Sequence, residues 1–119
     1  DDALECLRKL VMRHAQMIRQ NAGIMRVVFS QEIFSGQPKR RAFIYEMVKG
    51  YLKRVADLVE RGQKEGTIRK DIDPNVIAVM FLGLVQPPAI LWQLSDGSID
   101  VTRQVTKAWE VFADAIRQP

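Results

Sequence analysis

PNVIAVMFLGLVQPPAILWQLS, residues Pro74 to Ser95, runs for twenty-two residues without a charged side chain, preceded by Asp73 and followed by Asp96-Gly97. A helix that is apolar all round must be buried on nearly every side, and a chain of 119 residues offers few neighbouring elements to cover it. Part of its surface is therefore expected to meet a second molecule or a ligand. About twenty apolar residues would also span a bilayer. Against a membrane span stand Gln86-Pro87-Pro88 at mid-length, which removes two backbone donors, the amides Asn75 and Gln93 near the ends, and basic residues with no one-sided flank. The run reads as a buried helix of a soluble protein, kinked in its middle by the two prolines.

Four more helices surround it in sequence. The first is predicted from about Ala3 to Gln20, where Asp2 and Glu5 have capping-box spacing and Leu4, Leu7, Val11, His14 and Ile18 recur at three and four residues. A second, about Ala22 to Phe34, carries Ile24, Met25, Val27, Val28, Phe29, Ile33 and Phe34, and stops at Ser35-Gly36. Pro38 opens a long third helix at a first-turn position. Its apolar residues Ile44, Met47, Val48, Tyr51, Leu52, Val55, Leu58 and Val59 keep helical period as far as Arg61-Gly62, with an end by Gly66. Thr67 to Ile72 then connects to Asp73 as N-cap and Pro74 as first helical residue. After the turn Ser95-Asp96-Gly97-Ser98, the last helix, about Asp100 to Arg117, places Val101, Val105, Ala108, Trp109, Phe112, Ala115 and Ile116 on a wide apolar arc. No segment alternates as a strand. The expected fold is all-α, a five-helix orthogonal and antiparallel bundle forming one domain over residues 1–119, with no signal peptide at its amphipathic start.

The last two helices, joined by a tight turn, should form an antiparallel hairpin. At 100 degrees per residue the uncharged helix puts Ile77, Met80, Leu84 and Leu91 on one face, suited to its own core. Asn75, Ala78, Leu82, Gln86, Ala89 and Gln93 fall opposite, with Phe81, Val85 and Trp92 on the flank. Small residues and uncharged amides suit close helix contact, so two hairpins should build an intermolecular four-helix bundle about a two-fold axis. The expected contact residues are Ala78, Leu82, Val85, Gln86, Ala89, Trp92 and Gln93, with Val105, Trp109, Phe112 and Ile116 from the last helix.

The formal charge of +4 resides in one helix: between Pro38 and Glu65 stand eight cationic and four acidic side chains, and the rest of the chain balances. Helical neighbour spacings such as Glu46/Lys49 and Asp57/Arg61 explain that helix as a solvated face without nucleic acid. The single Cys6 rules out an internal disulfide and favours a reducing cytoplasm; a small core position accounts for it. There is no serine-histidine-acid set, HExxH, phosphate-cradling glycine loop, histidine pair or CxxC, so neither an enzyme nor a metal or other cofactor is expected. Flexible thioethers beside aromatics suit a pocket for varied apolar ligands as well as an ordinary core. Met17, Met25, Phe29, Met47 and Tyr51 are the candidate lining, and His14, Tyr51 and Gln86 the candidate polar anchors. Glu32 reads as exposed or arginine-paired, or as a contact for a cationic ligand.

The stretch Leu58-Val59-Glu60-Arg61-Gly62-Gln63-Lys64-Glu65-Gly66-Thr67-Ile68-Arg69-Lys70-Asp71-Ile72-Asp73-Pro74, followed by Ala78 and Gly83-Leu84, resembles the C-terminal regulatory domain of TetR-type bacterial transcriptional repressors. Such domains join a long helix through a glycine-bracketed turn and an Arg/Asp-rich link to an Asp-Pro helix start. Phe29-Ser30-Gln31-Glu32 and Pro38 are similar to the family as well, and the resemblance extends from about Phe29 to Arg117. The family's helix-turn-helix domain is not in this chain. What the resemblance implies is a cytoplasmic homodimer paired through its last two helices, with a small hydrophobic or amphipathic effector held by the earlier ones. Effector binding would shift the first helix and so the spacing of two recognition helices, which must match half-sites about 34 Å apart on operator DNA. A helical protein-interaction module without a small-molecule pocket is the alternative reading, and direct DNA binding by the basic helix a third.

Overall fold

A computed structural model describes residues 1–21 and 36–119. Among the described residues five helices follow in order: α1 (Ala3–Gln20), α2 (Pro38–Glu65), α3 (Pro74–Leu82), α4 (Gln86–Leu94) and α5 (Val101–Ile116). Among the described residues there is no strand, only an isolated bridge between Ile68 and Arg117. The helix expected over Ala22 to Phe34 lies outside the described residues.

Caps set the boundaries. Asp2 accepts a hydrogen bond from the Glu5 amide at 2.8 Å and Asp73 one from the Asn75 amide at 2.8 Å, each satisfying a helix-end donor that has no partner within the helix. Only half of the expected capping box forms at α1, since the Glu5 carboxylate turns to Arg8 instead of back to Asp2. At the other end of α2, Gly66 takes φ 85°, a left-handed value that costs glycine nothing, and ends the helix. The Gln63 side chain donates to the carbonyls of Arg69 at 3.0 Å and Ile72 at 2.8 Å, fixing the link to α3. That link is tied to α5 by the Arg69 amide on the Ile116 carbonyl, and the Gln118 amide returns to Thr67.

The uncharged run is two helices and not one kinked helix. α3 stops at Leu82, Gly83 to Val85 form turns, and α4 starts at Gln86 with Pro87 and Pro88 in its first turn. The reason lies in the prolines themselves. They have no N–H to donate to the carbonyls of Gly83 and Leu84, and a first helical turn is where a missing donor costs least.

α1 packs against α2 and α5, α3 against α2, and α4 against α5. From α1, Leu7, Val11, Ala15 and Ile18 are buried at spacings of four, four and three; from α5, Val101, Val105, Trp109, Phe112 and Ile116. Phe81 of α3 is fully buried among Tyr51, Trp109 and Phe112, with ring centroids 6.2 to 6.4 Å away. Each such large side chain contributes about 1.5–3 kcal/mol by leaving water. α2 is buried only from Val55 onward, and its first half carries exposed Phe43, Tyr45 and Met47.

Candidate functional site

His14 and Tyr51 meet where α1 crosses α2. Tyr51 faces α1 because it lies one helical turn before Val55, which is buried. His14 Nδ1 stands 3.0 Å from the Tyr51 hydroxyl, and the two rings contact edge to face at 5.1 Å and 67°. Both side chains are half-buried. Burial pushes the His14 pKa below its usual value and pushes Tyr51 up to about 12, a rise that the Arg54 guanidinium over its ring, 5.8 Å from the centroid, partly opposes. The pair is therefore neutral at pH 7, with either the phenol or the ring N–H donating. His14 Nε2 makes no hydrogen bond among the described residues. The pair ends a run of ring contacts through Phe81 to Trp109 and Phe112, which spans α1, α2, α3 and α5. A neutral donor-acceptor pair against aromatic walls can orient a polar group on an otherwise apolar molecule.

Of the remaining ligand candidates, Met17, Met47 and Gln86 are among the described residues. Met17 and Met47 are 53% and 55% exposed, so as placed they line no enclosed cavity. Gln86 is exposed at the start of α4. Met25 and Phe29 lie outside the described residues. Cys6 is half-buried, not a core residue, and its Sγ accepts from Arg61 Nη2 at 3.3 Å.

The assignment of helix faces in the uncharged run is corrected by burial. Ile77 is in the core as expected, but Met80 and Leu91 are 54% and 45% exposed and Leu84 is half-buried. Ala78, Val85 and Ala89 from the face expected to meet a partner are buried within the protomer, as are Val105, Trp109, Phe112 and Ile116 of α5. Leu82, Trp92 and Gln93 are half-buried. On one continuous wheel the buried Ile77, Ala78, Phe81, Val85 and Ala89 fall within an arc of about 120 degrees, so the turns at Gly83 to Val85 preserve the register and the inward face is rotated by roughly a quarter-turn from the expected one. Phe81, the largest side chain of α3, selects which side turns inward and carries Ile77 and Ala78 with it. What remains outside is Val76, Val79 and Met80 on α3, Ile90, Leu91 and Leu94 on α4, and Val111 on α5. The i, i+3, i+4 spacing within each short helix was the signal for this surface.

By length and composition Pro74–Leu94, with mean hydropathy 1.7, could cross a membrane. Ile77, Ala78, Phe81, Val85 and Ala89 instead supply one side of it to the core shared with α2 and α5.

The family model described as YsiA-like protein, C-terminal region, a TetR C-terminal domain, matches residues 1–115. The chain belongs to the TetR family. TetR-family C-terminal domains are regulatory parts of transcriptional regulators, which are not enzymes, and proteins of the family typically dimerise and bind effectors and DNA. No curated protein and no solved structure matches the chain. α1 is part of the bundle, packed on α2 and α5, and the His14–Tyr51 pair ties it to α2, as does Arg61 on Cys6.

Proposed function

We propose that this TetR-family domain, acting as one unit, senses a small hydrophobic or amphipathic effector at the α1–α2 crossing and assembles as a homodimer in the cytoplasm. The observation that carries the sensing reading is the neutral His14–Tyr51 pair, half-buried against Phe81. An effector with a hydroxyl, carbonyl or amide would take one of its hydrogen bonds and lay its apolar body on the neighbouring rings, with Met17, Met25, Phe29 and Met47 as adaptable lining. Taking the phenol away from His14 loosens the tie between α1 and α2. In a regulator whose DNA-binding helices are set by α1, that displacement changes their spacing, provided the effector binds one arrangement more tightly.

The dimer half of the proposal moves from the buried residues to the exposed ones. Val76, Val79, Met80, Ile90, Leu91 and Leu94 form the outside of a segment with no charge to solvate it. Large contiguous apolar surface is uncommon on monomers, and a two-fold copy presenting the same stripe covers it. A thermal-shift screen with lipophilic compounds tests sensing: a specific effector raises Tm by mass action, and Tyr51→Phe reduces that rise. If none raises Tm, the domain is an interaction module without a pocket.

A further inference from the structure

A second binding feature lies on the same two helices. Cys6, Lys9, Leu10 and Arg13 from α1 and Arg54, Asp57, Leu58 and Arg61 from α2 line a groove of about 590 Å³. Four of these eight side chains are cationic and one is acidic. Much of the surface is laced with pairs such as Arg8–Glu5, Lys64–Glu60 and Arg117–Asp114, in which each cation has a carboxylate within one helical turn. The groove is different. Its single carboxylate, Asp57, is held by Lys53 at 3.2 Å, Arg61 pairs with Glu65 at 3.1 Å while donating to Cys6 Sγ, and Lys9 pairs with Asp1. Arg13 and Arg54 make no ion pair among the described residues, although Arg54 lies over the Tyr51 ring. Two guanidinium forks thus line one groove, one from each helix, over the apolar side chains of Leu10 and Leu58.

We infer that this groove binds a small multivalent oxyanion, with Arg13 and Arg54 as its principal contacts and Lys9 and Arg61 adding positive potential. Guanidinium presents its donors in a planar fork that matches phosphate and carboxylate oxygens, and is more easily desolvated than ammonium. Bridging α1 and α2 through an anion would hold the two helices together beside the His14–Tyr51 tie. The site is distinct from that of the effector proposal above, because its ligand is ionic and neither His14 nor Tyr51 lines the groove.

Titration calorimetry on the chain at fixed ionic strength, with pyrophosphate in one series and citrate in another, tests the inference. Saturable binding of pyrophosphate alone identifies a phosphate ligand, and of citrate alone a carboxylate; either supports the site. The R13Q/R54Q double variant should weaken the binding at least tenfold, R13K/R54K should retain part of it, and R103Q/K107Q on α5 should leave it unchanged. Occupancy should also slow alkylation of Cys6 by the neutral reagent iodoacetamide, read by whole-chain mass spectrometry, since Cys6 is the only thiol and lies in the groove. The inference is overturned if neither anion saturates, or if the α5 control loses as much affinity as R13Q/R54Q.

Discussion

Gly62 sits on the buried side of α2, one turn before its end, where the link to α3 folds back and inserts Ile68. A Cβ placed at Gly62 would lie 2.4 Å from Ile68 Cδ1, 2.7 Å from its Cγ1 and 3.0 Å from the Ala3 Cβ, well inside the normal carbon separation of about 3.5–4.0 Å. Ile68 is fully buried and cannot swing into solvent without opening the core. Contacts this short, against a side chain that cannot move away, put the overpacking cost in the upper part of its usual range, about 2–3 kcal/mol. Alanine offsets part of it, because it is about 1 kcal/mol better than glycine inside a helix. Gly62→Ala should therefore destabilise the chain by about 1–2 kcal/mol. With an unfolding entropy of about 2.1 cal/mol/K per residue, that lowers Tm by roughly 4–8 °C, measured by circular dichroism at one protein concentration. The cause is isolated by a double-mutant cycle. In an Ile68→Ala background the two closest atoms are gone, and Gly62→Ala should become neutral or slightly stabilising, a coupling of about 1–3 kcal/mol. Equal effects of Gly62→Ala in both backgrounds, or an unchanged Tm in the parent, would refute the reasoning.

Three further outcomes are expected. Because burial lowers the His14 pKa, the unfolded chain takes up a proton more readily; the contribution of His14 to stability is complete above about pH 6.5 and is lost as pH falls through the lower folded value. His14→Gln should flatten that limb of a Tm-against-pH curve, and an unchanged slope counts against a neutral buried histidine. Tyr51, raised to about 12, acts at the other end: its contribution is complete below about pH 10 and declines as pH rises toward 12, a loss that Tyr51→Phe should abolish in alkaline unfolding monitored by circular dichroism. Asp73→Ala removes the acceptor for the Asn75 amide and should cost about 1 kcal/mol in urea unfolding, whereas Asp73→Asn should cost little.

The helical architecture was legible because its signals are local. Asp2, Asp73 and Asp100 mark helix starts and Gly66 an end, and the apolar residues of α1 and α5 keep one register throughout, so their buried faces follow from spacing. The uncharged run was less legible for a physical reason. With no charges to mark a solvent side, its inward face is chosen by tertiary packing around Phe81, which turns Ala78, Val85 and Ala89 inward and leaves Met80 and Leu91 outside. The same holds for the candidate site. His14 and Tyr51 could be picked out singly as polar groups on apolar stripes, but their 3.0 Å contact depends on how α1 crosses α2. The groove of Arg13 and Arg54 was hidden because their charges were counted within α1 and α2 separately, and only the crossing brings them to one place.

The exposed stripe on α3 and α4 as the cover for a second copy is the claim on which the regulatory account most depends. Light scattering coupled to size exclusion, at tens of micromolar, measures it directly. The account predicts twice the 13.6 kDa chain mass for the parent and the single-chain mass for Val79→Glu/Leu91→Glu with helical content retained. A parent that elutes at 13.6 kDa, or a double variant that stays dimeric, would contradict it.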